Sequence, residues 1–413
     1  MKTVLLRLLA IQCLILAGCS SSNNVSSLMQ EAEDLHKSIL TIDTHTDTPL
    51  RLMQKDFDMS KLHDPKADQS KLDFPRMRKG GLDAVFFAAF IAQGPRTAPA
   101  NEIAQKKVAG IIDTIHSVIK ANPALVSLAL TSEDPVKIKA SGKLAIFIGI
   151  ENGYAIGNDI SLIKKFYDMG VRYITLCHTK NNDICDSSTD PDTINYNGLS
   201  ALGKAAVEEM NKTGMIIDVS HISDKAFYDV VKYSKTPVIA SHSCARALCD
   251  NPRNLSDDML RKLAQNGGVI QMCILSEYVK TPADNPKRDS VMNLFKAKYS
   301  DYDNLTDEQK TEMRRERSEI DKKYPRVLAN VSDVVDHIDH IVKTAGIDHV
   351  GIGTDFDGGG GVEGCFDVSE MKNITVELIK RGYSHEEIRK IWGGNFLRVF
   401  REIEQYAGKS KSI

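Results

Sequence analysis

The chain has 413 residues, enough for one large α/β domain or two ordinary ones with a sizeable buried core. With 53 basic and 55 acidic residues, a net charge of −2 and no block of Lys or Arg, the composition argues against nucleic acid as a partner. Eight cysteines are too few for a disulfide scaffold, and the absence of a C-x-x-C pair argues against a thiolate zinc site.

The first nineteen residues differ from the rest of the chain. A positively charged start precedes an apolar run that is too short to span a bilayer, as in an export signal. Leu16-Ala-Gly-Cys19 resembles the lipobox of bacterial lipoproteins, in which the cysteine becomes the lipidated first residue. An ordinary cleaved secretory signal is the alternative. We predict a signal peptide over residues 1–19, a polar tether over 20–34, and a lipid-anchored protein on the periplasmic or extracellular face of the bacterial cell envelope.

From residue 35 onwards, short apolar runs alternate with helix-length segments such as 102–121, 199–212 and 222–234. The runs are nearly continuous in Val, Ile, Leu and Phe, which is typical of parallel strands buried on both faces. Eight such β/α units favour a (β/α)8 TIM-like barrel over residues 35–408, rather than an open doubly wound sheet. The strands are predicted near residues 39–47, 82–91, 144–151, 171–178, 214–221, 237–243, 267–273 and 349–356.

Three further segments fall outside this regular pattern. A β-like run from Leu125 to Thr131 is interpreted as accessory to the barrel, and residues 409–413 are predicted to be a flexible tail. A long charged insertion, residues 283–326, separates the seventh and eighth predicted strands. Its opposite charges, three and four residues apart, are typical of a solvent-exposed helix. The insertion follows a strand, and such connections emerge on the active-site face of a barrel. A lid over the barrel mouth is therefore the alternative.

Nearly every predicted strand ends in a residue that can bind a metal or transfer a proton. In a parallel barrel these ends meet on one rim, so residues distant in sequence become neighbours. Each has an ordinary explanation when taken alone: a helix cap at Ser220-His221, for example, or a satisfied core histidine at position 242. Their coincidence favours a functional site built from His45, Asp47, Glu151, His178, His221, His242 and Asp355.

The ligand types indicate which metal this site would bind. Imidazole nitrogens and carboxylate oxygens without thiolates suit Zn²⁺, with Mn²⁺, Co²⁺ and Fe²⁺ as weaker options. Three histidines and two carboxylates exceed the protein ligands that one catalytic zinc takes, whereas two ions sharing a carboxylate would use all of them. Glu151 lies on a strand between those that carry the other ligands and is the natural bridge.

Six segments together carry a more specific signal: Asp43-Thr-His45-Thr-Asp47, Gly149-Ile-Glu151-Asn-Gly, Arg172-Tyr-Ile-Thr-Leu-Cys-His178-Thr, Ile217-Asp-Val-Ser-His221, Val238-Ile-Ala-Ser-His242-Ser and Gly353-Thr-Asp355-Phe-Asp-Gly. In this order they resemble the successive motifs of the membrane (renal) dipeptidase family. The chain would be a bacterial lipoprotein member of that family. That family belongs to the amidohydrolase superfamily of zinc-dependent barrels. The match extends from about residue 36 to residue 404.

The resemblance implies two zinc ions per chain. His45, Asp47 and Glu151 would bind one ion, and Glu151, His221 and His242 would bind the other, with a hydroxide as a second bridge between them. The substrate would be a dipeptide, with those carrying a C-terminal D residue among the candidates. The family also implies a homodimer, and a membrane contact through the N-terminal lipid alone.

The same resemblance assigns roles to four residues around the metals. His178 would face the scissile carbonyl and stabilise its developing negative charge, and Arg253 would hold the C-terminal carboxylate of the substrate through its planar fork of donors. Asp355 would be the general base that takes a proton from the hydroxide and passes it to the leaving amine. Tyr278 would also line the site.

The chain departs from the family pattern at several places. Glu151-Asn-Gly-Tyr154 replaces the more usual Glu-Gly-Gly-His, which alters the pocket wall beside the bridge. Thr281 stands where a partner for Cys249 would be, so the disulfide content stays open. Two other functions are kept as alternatives: a different amidohydrolase acting on a β-lactam, lactone or cyclic amide, and a peptide-binding lipoprotein without catalysis.

Overall fold

The structure is a computed structural model that describes residues 26–54, 56–190, 195–300 and 305–410. Within these residues, one parallel sheet of nine strands forms the centre of the molecule. The strands are β1 (Ile42–Thr46), β2 (Ala84–Phe90), β3 (Val126–Leu128), β4 (Leu144–Glu151), β5 (Val171–Thr175), β6 (Ile216–Asp218), β7 (Ile239–Ser243), β8 (Val269–Met272) and β9 (Val350–Ile352).

Eight of these strands follow one another around a barrel in the order β1-β2-β4-β5-β6-β7-β8-β9. The ring closes where Thr46, at the end of β1, pairs in parallel with Phe356, in the segment after β9. There the amide of Asp47 donates to the Phe356 carbonyl at 2.8 Å and the amide of Asp355 donates to the His45 carbonyl at 3.0 Å. The predicted TIM-like barrel is confirmed, and β3 pairs only with β4, as expected of an accessory strand.

The core follows from the alternation of side chains along each strand. Phe86, Phe147 and Tyr173 point into the barrel, where they stack with ring centres 4.5 to 5.0 Å apart. Their strand neighbours Val85 and Phe87 point outward into a second cluster under the surrounding helices. Because both faces of the sheet are covered, the strands read as continuous apolar runs in the sequence.

The helices surround the barrel, and several of them begin at a serine whose hydroxyl accepts from a backbone amide of the first turn. They are α1 (residues 26–38), α2 (Pro49–Leu52), α3 (Pro65–Asp68), α4 (Phe74–Gly80), α5 (Ala98–Ala121), α6 (Asp134–Ala140), α7 (Ser161–Asp168), α8 (Ala201–Thr213), α9 (Asp224–Tyr233), α10 (Asp257–Gln265), α11 (Ser276–Val279), α12 (Pro286–Lys298), α13 (Asp307–Lys323), α14 (Val331–Ala345), α15 (Lys372–Lys380), α16 (His385–Arg389) and α17 (Asn395–Ser410).

The charged insertion contains two helices, α12 and α13, where the sequence predicted one. Met292, Phe295 and Ile320 form a small apolar cluster between them, separate from the main core. The Arg288 guanidinium donates to the Tyr324 carbonyl and to the Asp321 carboxylate, which fastens the start of α12 to the end of α13. The two helices therefore stabilise each other, and their role as a lid stays a prediction.

The two ends of the chain extend only partly into the described structure. The predicted signal peptide, with Cys19, lies outside the described residues. α1 overlaps the end of the predicted tether, and Ala32 within it is fully buried. At the other end α17 continues to Ser410, inside the segment predicted as a tail. None of the helices in the described ranges combines the length and the apolar character needed to cross a bilayer.

Candidate active site

The barrel brings the chemically active strand ends together at one rim. His45 lies in β1, Glu151 is the last residue of β4, and His242 lies in β7. The other four predicted residues lie in the loops directly after their strands: Asp47, His178, His221 and Asp355. All seven are at the carboxyl end of the barrel, where active sites of this fold occur.

The Glu151 carboxylate lies at the centre of the group. Its Oε1 atom is 2.9 Å from Nε2 of His221 and 3.5 Å from Nε2 of His242. The same oxygen is 3.6 Å from Nε2 of His45 and 3.9 Å from Nε2 of His178. Four imidazoles from four strands thus converge on one carboxylate oxygen, the arrangement expected if this carboxylate is shared between two ligand sets.

Among the described residues, three groups of side chains have ligand atoms within 4.8 Å of one another. They are His45 with Glu151 and His242, Glu151 with His178 and His221, and His45 with Asp47 and Asp355. Glu151 belongs to two of the groups, as a bridging ligand would. The groups differ from the predicted division of ligands. His242 is grouped with His45, His178 joins the group of His221, and Asp47 is grouped with His45 and Asp355.

Several polar atoms at this rim are suited to bind a cation. Nε2 of His45 and Oδ1 of Asp47 are buried and have no hydrogen-bond partner within the described parts of the chain. A buried polar atom without a partner is costly, and metal coordination removes that cost. Nε2 of His221 and Nε2 of His242 face each other at 2.9 Å, beside the Glu151 carboxylate. The residues present therefore suit the metal that the sequence predicts.

Burial keeps the imidazoles neutral. It lowers the pKa of His45 to about 3 and that of His178 to about 3, with the nearby Arg253 cation adding to both effects. Burial also holds the pKa values of His221 and His242 well below the ordinary value. A neutral imidazole keeps a free lone pair, which is the form that binds a metal ion.

The carboxylates show the opposite effect. Burial, followed by repulsion from Asp357, raises the pKa of Asp47 to about 7. Burial and the neighbouring carboxylates raise the pKa values of Glu151 and Asp355 well above their ordinary values. Carboxylates that are crowded away from water in this way gain stability as anions when a cation binds beside them.

The backbone at the rim adopts unusual conformations. His221, Asp355 and Asp357 have positive φ angles of 73°, 60° and 66°. The carbonyl of Asp355 accepts hydrogen bonds from the amides of three following glycines, which hold the turn in place: Gly358, Gly359 and Gly360. Left-handed conformations at residues other than glycine cost about 1–3 kcal/mol each and cluster at functional sites.

Arg253 and Tyr278 lie beside this group. The Arg253 side chain is buried, and its Nη2 atom donates to the His242 carbonyl at 3.3 Å. Its Nε atom has no partner in the described ranges, and the guanidinium lies 5.3 Å from the centre of the Tyr278 ring. Burial raises the pKa of Tyr278 to about 12, so its hydroxyl stays protonated. The arrangement leaves a buried cation, with an Nε donor that has no partner among the described residues, next to the candidate metal ligands.

Sequence reasoning missed a layer of residues beneath the histidines. The Tyr173 hydroxyl lies 2.8 Å from Nδ1 of His45. Ser241 donates to the Asp218 carboxylate at 2.6 Å, and its hydroxyl lies 2.9 Å from Nδ1 of His242. Tyr173 and Asp218 are polar residues within apolar strands. This was the only sign in the sequence that they support the histidines. The positions of their partners came from the barrel.

The chain is similar to proteins of a known family over most of its length. Residues 29–413 match the model of the family described as membrane dipeptidase, peptidase family M19. Dipeptidase 3 of Rattus norvegicus is 33% identical over 390 residues, which cover 93% of this chain and 69% of the rat protein. Dipeptidase tcpJ of Claviceps purpurea is 32% identical over 364 residues, covering 87% of this chain and 75% of the fungal protein.

Solved structures are similar as well. The probable dipeptidase PvdM of Pseudomonas aeruginosa is 34% identical with a TM-score of 0.80, covering 92% of this chain and 100% of that chain. A metallo peptidase of Rhodobacter sphaeroides, solved with a phosphinate mimic of the dipeptide L-Ala-D-Ala, is 22% identical with a TM-score of 0.71. The match covers 88% of this chain and 99% of the Rhodobacter chain, and at this identity it supports the fold alone.

Proposed function

This chain belongs to the membrane dipeptidase family, peptidase family M19, and we propose that it hydrolyses dipeptides with two zinc ions held at the rim of its barrel. The observation that carries the proposal is the convergence of four imidazole nitrogens within 3.9 Å of one oxygen of Glu151. In this proposal His45 and Asp47 would bind one ion, His221 and His242 would bind the other, and Glu151 would be shared between them.

The zinc ions would supply Lewis acidity and lower the pKa of a water molecule at the site. The protein residues do the remaining work. Asp355 lies in the same group as His45 and Asp47, and in this proposal it accepts a proton and passes it to the leaving amine. The His178 side chain is 22% exposed, more than the other three histidines, and in this proposal it stabilises negative charge on the scissile carbonyl oxygen.

Arg253 points to the class of substrate. Its buried guanidinium is able to bind a free carboxylate with two parallel hydrogen bonds, and metal ions bound at the neighbouring rim would set how far from this carboxylate the bond is cleaved. A substrate whose C-terminal carboxylate lies one residue beyond the scissile bond, a dipeptide, meets both requirements. The Rhodobacter enzyme in complex with an L-Ala-D-Ala mimic makes dipeptides with a C-terminal D residue the first stereochemical variant to test.

The test combines metal analysis with a substrate panel. The purified protein is assayed for bound zinc and for hydrolysis of L,L and L,D dipeptides, of their C-terminal amides, and of a β-lactam and a lactone. We expect about two zincs per chain, turnover of dipeptides, and poor turnover of the amides. Asp355→Asn should keep its zinc and lose about 10²–10⁴-fold in kcat, since only proton transfer is removed.

Three other results would contradict the proposal. Hydrolysis of the β-lactam or lactone without any dipeptide would assign the site to a different amidohydrolase reaction. Zinc binding without turnover of any substrate would favour a peptide-binding protein. A protein that binds no zinc would remove the basis of the proposed chemistry.

Location and assembly are also proposals. A lipid on Cys19 would hold the barrel at a membrane surface, with the enzyme in the periplasmic or extracellular space and its metal site free to meet peptides. Replacement of Cys19 by Ala should release the protein from the membrane fraction with its activity unchanged. Sedimentation of the released protein would test the homodimer that the family resemblance implies.

A further inference from the structure

Asn152, the residue directly after Glu151, has an unusual backbone conformation. Its φ and ψ angles are 86° and 104°, and the residue is fully buried. Positive φ is rare outside glycine because it strains the backbone, so it persists only where the surroundings enforce it. The family resemblance stated above has glycine at this position. The asparagine therefore retains backbone strain next to the central carboxylate of the candidate site.

The carboxamide of Asn152 explains how this conformation is kept. Nδ2 donates to the Ile91 carbonyl at 3.1 Å and to Oε1 of Gln93 at 3.4 Å, both in the loop after β2. Oδ1 accepts from the Tyr154 amide at 3.1 Å and from Nδ2 of Asn182 at 3.1 Å. One buried side chain thus joins the loops that follow β2, β4 and β5.

Asn182 continues the network towards His178. Its Nδ2 atom also donates to the Leu176 carbonyl at 2.8 Å, and its Oδ1 atom accepts from the amides of Ile184 and Cys185 at 2.9 and 3.2 Å. These bonds shape the loop after β5, which carries His178. The Asn152 clamp, defined as Asn152 with Ile91, Gln93, Tyr154 and Asn182, therefore lies between the loop of His178 and the strand that ends in Glu151.

We infer that Asn152 is a positioning residue of this site: its carboxamide locks three rim loops together and thereby fixes the Glu151 carboxylate among the histidines. The inference rests on the proposed function for its consequence, which is metal affinity, but the clamp itself is a property of the metal-free protein. Glycine at this position would relax the backbone and lose all four hydrogen bonds. Aspartate would keep the acceptor and lose the donors to Ile91 and Gln93.

The experiment compares Asn152→Gly with a matched substitution elsewhere. Asn197 is an exposed asparagine that also has a positive φ, of 51°, so Asn197→Gly makes the same chemical change without removing the clamp. Hydrogen exchange of the metal-free proteins is measured first. We expect Asn152→Gly to lose at least about 10-fold in protection at the amides of Tyr154, Ile184 and Cys185, while Asn197→Gly leaves these amides unchanged.

Zinc affinity is measured next, by competition with a chelator. Outer residues that orient metal ligands change affinity by about 10–100-fold when removed, and we expect a loss in this range for Asn152→Gly. Asn152→Asp should recover protection at the Tyr154 amide but not the zinc affinity.

Three outcomes would overturn the inference. Unchanged exchange in Asn152→Gly would exclude the clamp, whether or not the protein is a dipeptidase. Lost protection with unchanged zinc affinity would limit Asn152 to a structural role. If the unsubstituted protein bound no zinc, the proposed function would fail, and the positioning of a metal ligand by Asn152 would fail with it. If the unsubstituted protein hydrolyses dipeptides, the proposed function holds, and either of the first two outcomes then contradicts only the role of Asn152.

Discussion

Nδ1 of His45 lies 2.8 Å from the hydroxyl oxygen of Tyr173, inside the barrel and beneath the candidate metal site. Nε2 of the same ring faces Glu151 and needs its lone pair to bind a cation, so Nδ1 carries the proton and donates to Tyr173. Gly149 makes the room for this tyrosine, because a Cβ at position 149 would lie 2.2 Å from the ring carbon Cζ.

Tyr173→Phe should therefore weaken metal binding. The ring and its packing stay, but the His45 proton loses its acceptor, and we expect zinc affinity to fall about 10–100-fold. A chelator competition titration measures the effect, with Tyr233→Phe, at a partly exposed tyrosine, as the control. A variant that melts at a lower temperature and binds zinc as before would show that the hydroxyl contributes only to stability.

Gly358 lies against two carboxylates of the rim, those of Asp47 and Asp355. A Cβ there would lie 2.0 Å from Oδ2 of Asp47 and 2.3 Å from Oδ1 of Asp355, so an alanine clashes with both side chains. We expect Gly358→Ala to lose at least about 100-fold in kcat/KM while the barrel stays folded, because misplaced catalytic groups cost this much. Steady-state kinetics measure the loss in kcat/KM, and circular dichroism checks that the barrel stays folded.

The matched control for this substitution is Gly110→Ala. Gly110 lies in α5, and a Cβ there meets no heavy atom within 4 Å. Alanine is the better helix former, so this variant should gain about 0.5–1 kcal/mol of stability with unchanged activity. Equal activity of both variants would mean that the carboxylates tolerate displacement.

Arg253→Lys should separate binding of the substrate from chemistry. Lysine keeps the positive charge but loses the planar fork, so we expect KM for dipeptides to rise about 10–100-fold with a much smaller change in kcat. Arg246→Lys is the control, since Arg246 lies in the same loop and pairs with Asp224. An unchanged KM would remove Arg253 from carboxylate recognition.

We expect His36, outside the candidate site, to make the stability of the fold sensitive to acid. Burial lowers its pKa from 6.5 to about 4, while Nε2 lies 2.7 Å from the Thr375 hydroxyl. Below pH 6.5 the unfolded chain binds a proton that the folded chain excludes. The contribution of His36 to stability is therefore complete above pH 6.5 and is lost as the pH falls to about 4.

The full loss is about 3 kcal/mol, from the size of this pKa change. Denaturant unfolding at pH 7 and pH 4 measures it, and His36→Gln should reduce the difference between the two pH values by about this amount. If the variant and the unsubstituted protein respond equally to pH, other groups cause the acid sensitivity.

The strands could be predicted from the sequence because a barrel strand is buried on both faces. Such a strand is a continuous apolar run that can be identified without knowing which strand it pairs with, and all eight predicted strand regions contain a strand of the barrel. The rim residues could be predicted for a related reason. His45 and Glu151 stand at the ends of such runs, and parallel strands place their carboxyl ends on one side.

What the sequence determined by itself is the eight barrel strands, the barrel and the family, since these depend on local patterns and on ordered motifs. Only the tertiary structure decided which atoms face each other. Asp47 is grouped with His45 and Asp355, the Tyr173 hydroxyl lies against His45, and Asn152 joins three loops. Such contacts link residues from different β/α units. They depend on the register and closure of the barrel, which strand periodicity alone does not define.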